Sequence, residues 1–312
     1  MKTTHCWLIH DGAAGNRYQA RALAKALDWS FDEKIIQPTG LTRWLAPRLS
    51  PFGKTSLGSD FRNPPPYVIG CGRQAALTTR LLKQCGSCAI QILDPRLASK
   101  HWDVVIAPMH DKVPGENVIH TLGSLHDISS ECLVAARSQT SPLSSLNSPP
   151  TLVLIGGPSR MALFNEGLIE VMFSHLEYNL AKQGGSLIIC GSRRTPKLIA
   201  EKIRQRFSES GFPVWFDESD GENFYRAALS HADRIALTPD SVNMISEACA
   251  TSLPVFIAQP ERASGRMQLF LDALKSKGRI ETLKRGSKDF PVDALNTMPE
   301  LARQLRSFLG AP

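Results

Sequence analysis

Short apolar runs alternate with helical patterns along this chain, and the alternation starts over near its middle; no other feature constrains the fold as much. Cys6–His10, Phe31–Ile36, Tyr67–Ile69, Ala89–Leu93, Asp103–Ala107 and Val118–Thr121 read as strands bounded by turn residues. Between them, Asn16–Leu27 puts Ala20, Leu23, Ala24 and Leu27 on one helical face, and Arg73–Lys83 reads as a second helix. Residues 38–65 are rich in Pro, Gly and Ser and read as loop around a short helix near Leu41–Leu45. The stretch from Ser138 to Pro150, with five Ser or Pro up to Asn147 and Ser-Pro-Pro after it, is the clearest linker. Beyond it, strands at Thr151–Ile155, Ser186–Cys190, Pro213–Phe216, Arg234–Leu237 and Val255–Ala258 alternate with helices. Those helices cover Phe164–Lys182, Lys197–Ser208, Asn223–Ser230 and 241–251, and helices near Met267–Ser276 and Pro299–Leu309 close the chain.

Alternating strand and helix with short connections specifies parallel sheets covered by helices on both faces. The expectation is an α/β protein of two Rossmann-like, doubly wound domains facing a cleft. Their bounds are residues 1–137, a linker at 138–150 and residues 151–312, with the last helix packing back on the first domain. A length of 312 residues fits two cores of roughly 150. No run reaches the ~18 apolar residues of a membrane span. No signal-peptide pattern precedes the strand at Cys6, and seven scattered cysteines point to reduced thiols and a cytoplasmic protein. The net charge of +7 suits an acidic substrate or peripheral contact with the anionic inner face of a membrane. No helix carries a Lys/Arg stripe with interleaved aromatics, so nucleic acid is not an expected partner.

In doubly wound sheets the loops after the strands carry the chemistry. Leu237-Thr238-Pro239-Asp240-Ser241-Val242-Asn243-Met244-Ile245-Ser246-Glu247-Ala248 is the most informative of them. Asp240 or Ser241 can cap the helix. At about 100° per residue Asp240, Asn243 and Glu247 share a polar face, and Val242, Ile245 and Cys249 an apolar one. Free amides at the helix start suit a diphosphate, and a carboxylate two turns on suits a ribose diol. An ordinary capped helix with a solvated face fits the same residues. Gly156-Gly157-Pro158-Ser159-Arg160 again offers free amides near a cation, and Ser192-Arg193-Arg194-Thr195-Pro196 places two arginines before a helix with Thr195 as its N-cap.

In the first half, His10-Asp11-Gly12-Ala13-Ala14-Gly15-Asn16 lets the backbone approach a ligand, with Asp11 placed as a general base. A tight turn with an Asx cap is the alternative. Gly70-Cys71-Gly72-Arg73-Gln74-Ala75 formally matches G-x-G-x-x-A, with Asp94 ending the next strand, so a dehydrogenase is a rival reading. The unit is not the first βα pair, and Pro95-Arg96 follow the Asp at once. Arg73 and Asp94-Pro95-Arg96 fit the acceptor side of a cleft better. His110 beside Asp111 suits a proton shuttle or a surface turn equally. Cys85-Gly86-Ser87-Cys88 lacks the second pair that zinc needs.

Taken in order, these motifs resemble the mitochondrial-fission ELM family. They are D-G-x-x-G-N-x-x-Q from Asp11 to Gln19, I-G-C-G-R from Ile69 to Arg73, Q-I-L-D-P-R from Gln91 to Arg96 and A-P-x-H-D from Ala107 to Asp111. I-G-G-P-S from Ile155 to Ser159, S-R-R-T from Ser192 to Thr195 and T-P-D-S-V-N-M-I-S-E-A from Thr238 to Ala248 follow. Bacterial members are labelled glycosyltransferases or nucleoside-diphosphate-sugar epimerases. The resemblance implies a GT-B-like arrangement with the donor on the C-terminal domain and the acceptor on the N-terminal one. Donor binding then falls to Gly156, Gly157, Ser159, Ser192, Arg193, Arg194, Thr195, Asp240, Ser241, Asn243, Met244 and Glu247. Gly12, Gly15, Asn16, Gln19, Gly72, Arg73, Asp94 and Arg96 fall on the acceptor side, with Asp11 and His110 as catalytic candidates.

The expected function is a metal-independent glycosyltransferase with a nucleotide-diphosphate sugar as co-substrate and no cofactor, because no D-x-D pair ends a strand. Its acceptor would be of lipopolysaccharide or lipid-linked type, met in the cytoplasm or on the inner face of the inner membrane. A nucleotide-sugar 2-epimerase, an NAD(P)-dependent oxidoreductase and a non-catalytic adaptor with a retained cleft are the alternatives.

Overall fold

The computed structural model describes residues 4–37, 46–48, 61–137, 143 and 146–310. The expected helix near Leu41–Leu45, and 138–142 and 144–145 of the expected linker, lie outside them. The chain divides into two compact units, Met1–Asp127 with Thr297–Pro312, and Ile128–Asn296.

The first unit begins β1 (His5–His10), α1 (Ala14–Ala26) and β2 (Ser30–Ile35). It continues β3 (Tyr67–Cys71), α2 (Gly72–Gln84), β4 (Cys88–Ile92), β5 (Val104–Pro108) and β6 (Val118–Thr121). All its strands are parallel, in the order β2-β1-β3-β4-β5-β6. The winding direction reverses between β1 and β3, and the loops after those two strands flank the switch point where such sheets bind ligands. Both faces of the sheet are covered, which is why Val104–Pro108 is buried at every position and reads as a continuous apolar run.

The second unit opens with α3 (Ser130–Arg137), β7 (Pro150–Ile155), α4 (Glu166–Gln183), β8 (Ser186–Gly191) and α5 (Lys197–Arg206). Then come β9 (Val214–Trp215), α6 (Tyr225–His231), β10 (Arg234–Leu237) and α7 (Val242–Cys249). It ends with β11 (Val255–Ile257), α8 (Gly265–Ser276) and β12 (Glu281–Thr282). The order β12-β11-β10-β7-β8-β9 is again all parallel; counted within the unit it is the Rossmann order 3-2-1-4-5-6, with the switch point between β7 and β10. The closing helix α9 (Met298–Leu309) returns to the first unit, where Leu301, Ala302 and Leu305 join Leu23, Ala24 and Leu27 in one core. Periodicity did not reveal α3 or β12. Ala136 is the one buried residue of α3, and β12 has two residues, so neither carries an apolar pattern.

A buried polar network ties α2 to the sheet. Gln91 in β4 donates through Nε2 to the carbonyls of Gly72 (3.2 Å) and Ile92 (2.9 Å), and its Oε1 accepts from Thr79 Oγ1 at 3.0 Å. Trp102 Nε1 donates to Thr79 Oγ1 at 2.8 Å. Gly70 lies under this network: a Cβ there would stand 2.5 Å from Thr79 Cγ2 and 2.7 Å from Gln91 Oε1. The first glycine of the formal dinucleotide motif therefore serves close packing. Gly70→Ala is expected to overpack the network and cost about 1–3 kcal/mol, read as a lowered midpoint in denaturant unfolding. An unchanged midpoint would mean that the helix shifts freely.

Candidate functional site

In the second unit the loops after β7, β8 and β10 converge on the switch point and bond to one another. Gly156 N donates to Thr238 Oγ1 and Gly157 N to Asp240 Oδ2, each at 2.8 Å. Arg194 Nη2 also donates to Asp240 Oδ2 at 2.8 Å, and Nη1 lies 3.3 Å from the carbonyls of Gly157 and Pro158. Thr195 Oγ1 sits 2.6 Å from Gly156 O and 3.0 Å from Ile155 O, and accepts from Ser192 N at 2.9 Å. Both glycines are required here. A Cβ on Gly156 would meet the Asp240 carboxylate, and one on Gly157 the backbone carbonyl of Arg194.

Several expectations need correction. The Gly156 and Gly157 amides are not free, because internal acceptors already satisfy them. Asp240 does not share the outward stripe with Asn243 and Glu247. It precedes the helix, its side chain is 1% exposed, and it is paired with Arg194. A carboxylate at that depth needs a cation and an amide, and the folding chain supplies both. Arg194 is thereby committed to Asp240 and to two carbonyls rather than open to a diphosphate. Arg193, next to it, is exposed and makes no ion pair among the described residues. Thr195 is not the N-cap of α5; Pro196 holds that position and the Thr195 hydroxyl is spent on the carbonyls of Ile155, which ends β7, and Gly156 after it. Ser159 and Ser192 close their own loops, with Ser159 Oγ accepting from Met161 N and Ala162 N and Ser192 Oγ from Arg194 N.

At the start of α7, Ser241 rather than Asp240 is the N-cap, its Oγ accepting from Met244 N at 3.4 Å; Ile245, Ala248 and Cys249 are buried, while Val242 of the expected apolar face is half-buried. Asn243, Met244 and Glu247 are half-buried on the other side. Tyr225 on α6 donates its hydroxyl to Glu247 Oε2 at 2.5 Å. Tyr225 was not anticipated, because nothing in the sequence pairs it with a residue 22 positions away.

In the first unit the loops after β1 and β3 meet. Asp11 is exposed, and its Oδ1 accepts from Ala13 N at 3.1 Å and Asn16 Nδ2 at 2.9 Å. Asn16 also accepts from Cys71 Sγ at 3.7 Å, and a Cβ on Gly72 (φ +85°) would strike its amide. Gly15 lies in the first turn of α1. Gln19 does not face a ligand: it is buried, and its Oε1 accepts from Leu125 N at 3.3 Å. Asp94 is engaged with its own turn, accepting from Arg96 N at 2.8 Å and pairing with Arg96 Nε at 3.3 Å. Arg73 is exposed at the start of α2. His110 and Asp111 follow β5, 4.0 Å apart with side chains 9% exposed. With β3 and β4 between β1 and β5, His110 and Asp11 stand at strand ends about 14 Å apart at about 4.8 Å per strand. They do not form one acid–base pair.

The two doubly wound parallel sheets and their switch points define a GT-B-like α/β protein. Its fold is shared, at a TM-score of 0.53 and 13% identity, with a UDP-GlcNAc 2-epimerase from Neisseria meningitidis bound to UDP-GlcNAc, covering 98% of this chain and 99% of that one. A glycosyltransferase from Rickettsia africae ESF-5 matches at a TM-score of 0.52 and 12% identity, covering 99% and 89%. The chain belongs to the mitochondrial fission ELM1 family, whose sequence pattern matches residues 14–309. The mitochondrial fission protein ELM1 of Arabidopsis thaliana is 26% identical over 280 residues, which is 80% of this chain and 65% of that protein. The chain thus spans about two thirds of that relative's length. No helix of the described residues is long and apolar enough to cross a membrane.

Proposed function

We propose that this protein is a metal-independent glycosyltransferase that uses a nucleotide-diphosphate sugar. The observation that carries the reading is the Rossmann-ordered second unit, with a capped helix start and the Asn243/Glu247 face beside its switch point. The ligand class is supported by neighbours of like fold, one of them bound to UDP-GlcNAc. In this reading the α7 amides and Arg193 receive the diphosphate, and Glu247 accepts from the ribose hydroxyls. Asp11 takes the proton of the acceptor hydroxyl as its oxygen bonds to the anomeric carbon, and the bond to the diphosphate breaks with its electron pair leaving on the nucleotide. The acceptor is of lipopolysaccharide or lipid-linked type, and the net charge of +7 suits peripheral contact with the anionic inner face of the inner membrane.

A thermal-shift comparison of nucleotide sugars with NAD(P) tests this. A nucleotide sugar at 100 times its Kd should stabilise by about 2.7 kcal/mol, and NAD(P) should leave the melting temperature unchanged. Stabilisation by NAD(P) alone would overturn the reading in favour of an oxidoreductase, and stabilisation by neither would favour an adaptor. A 2-epimerase is the second reading, favoured by the fold shared with the Neisseria meningitidis enzyme. Conversion of a nucleotide sugar with no acceptor present would select it.

A further inference from the structure

His10, the last residue of β1, is 0% exposed and lies directly before Asp11. Its Nδ1 accepts from Gly12 N at 3.1 Å, so the neutral ring carries its proton on Nε2. Nε2 stands 3.7 Å from Glu33 Oε1 on β2, and Glu33 is bound in turn by Arg17 (2.8 Å) and Arg21 from α1. Gly12 has φ +81°, the left-handed geometry of a sharp turn, and the amide of this turning residue is the one His10 holds. The next amide, Ala13 N, closes the turn onto Asp11 Oδ1. On the other side the His10 carbonyl accepts from Ile36 N at 2.9 Å. The histidine is thus anchored by two strands, and the Asp11 turn hangs from its ring.

We propose that His10 is a positioning residue whose ring nitrogen holds the Gly12 amide and so fixes the turn that presents Asp11. The inference rests on reading Asp11 as the base. A fully buried ring cannot itself meet an acceptor hydroxyl, so His10 acts through the turn. Protonation would put a hydrogen on Nδ1 facing the Gly12 N–H, two donors with no acceptor between them. Burial resists that charge, Glu33 and Asp11 favour it and Arg17 opposes it; the outcome is a histidine that protonates below its ordinary range. From β3 comes the Cys71 thiol, which burial keeps protonated. Because the folded value is depressed, the contribution of His10 is complete above the ordinary histidine range. It is lost as the pH falls through that range toward the folded value.

Hydrogen–deuterium exchange on the full chain without ligand tests the inference, with protection corrected for the intrinsic rate at each pH. From pH 8 to a pH at which its imidazole NMR signal shows His10 protonated, the Gly12 and Ala13 amides should lose about tenfold in protection, while Leu8 and Ile9 in β1 keep theirs. His10→Asn offers an amide oxygen where Nδ1 stood and should keep both amides protected at both pH values. His10→Leu should be unprotected there even at pH 8. Gly12 protection that does not fall as the His10 imidazole signal titrates in the wild type, or a His10→Leu chain protected like the wild type, overturns the proposal. If His10→Leu does not fold, the wild-type profile and the His10→Asn rescue still decide. No substrate enters the measurement, so it can fail while Asp11 proves catalytic, and succeed while Asp11 does not.

Discussion

Asp11→Asn is expected to cut turnover roughly 10²–10⁴-fold and to leave nucleotide-sugar binding unchanged. The geometry makes this substitution unusually clean. Both hydrogen bonds that the turn makes to Asp11 end on Oδ1, from Ala13 N and Asn16 Nδ2. An asparagine keeps an oxygen at that position and replaces only Oδ2, which has no partner among the described residues. The turn therefore survives while the proton acceptor is lost. Steady-state rates with the nucleotide sugar that raises the melting temperature measure the effect. His110 is the competing base. Its burial beside Asp111, at a strand end well removed from Asp11, makes the two substitutions independent. If Asp11→Asn is fully active and His110→Gln is not, the base belongs to the loop after β5.

The alternation of apolar runs with helical spacing was enough to place the named elements other than α3 and β12, because a strand covered on both faces and an amphipathic helix leave different periods in a sequence. Val104–Pro108 and Pro150–Ile155 are buried throughout, and Ala20, Leu23 and Ala24 line one face of α1 as the spacing requires. Hydrogen bonds between loops leave no such period. Asp240 looks like the first member of a polar stripe, yet it is drawn inward because Gly157 N and Arg194 meet it across strands 83 and 46 positions apart in sequence. Gln19 looks like a site residue, and Gln91 opens a family motif, for the same reason. A buried amide satisfying Leu125 N or the Gly72 carbonyl is indistinguishable, in one dimension, from an amide awaiting a ligand. His10 escaped notice for the opposite reason. It closes an apolar strand, and only the register of β2 beside β1 brings Glu33 to its ring.

Glu247→Ala is expected to weaken nucleotide binding on the order of 10–100-fold, the loss of charge-assisted hydrogen bonds from two ribose hydroxyls. Asn243 and Glu247 are four residues apart on the side of α7 away from its buried Ile245, Ala248 and Cys249, so the helix keeps its packing, and alanine is a good helix former. The Tyr225 hydroxyl, 2.5 Å from Glu247 Oε2, adds a second test. That bond fixes the rotamer of a side chain that would otherwise lose freedom on binding. Tyr225→Phe retains the carboxylate but removes this one bond, and should weaken binding only several-fold, about the value of one hydrogen bond. Isothermal titration of both variants with the stabilising nucleotide orders the effects. A ribose-binding carboxylate gives Glu247→Ala the larger loss. If Glu247 serves only to dock α6 on α7, the two substitutions remove the same bond, and both should lower stability by about 1 kcal/mol while leaving nucleotide affinity untouched.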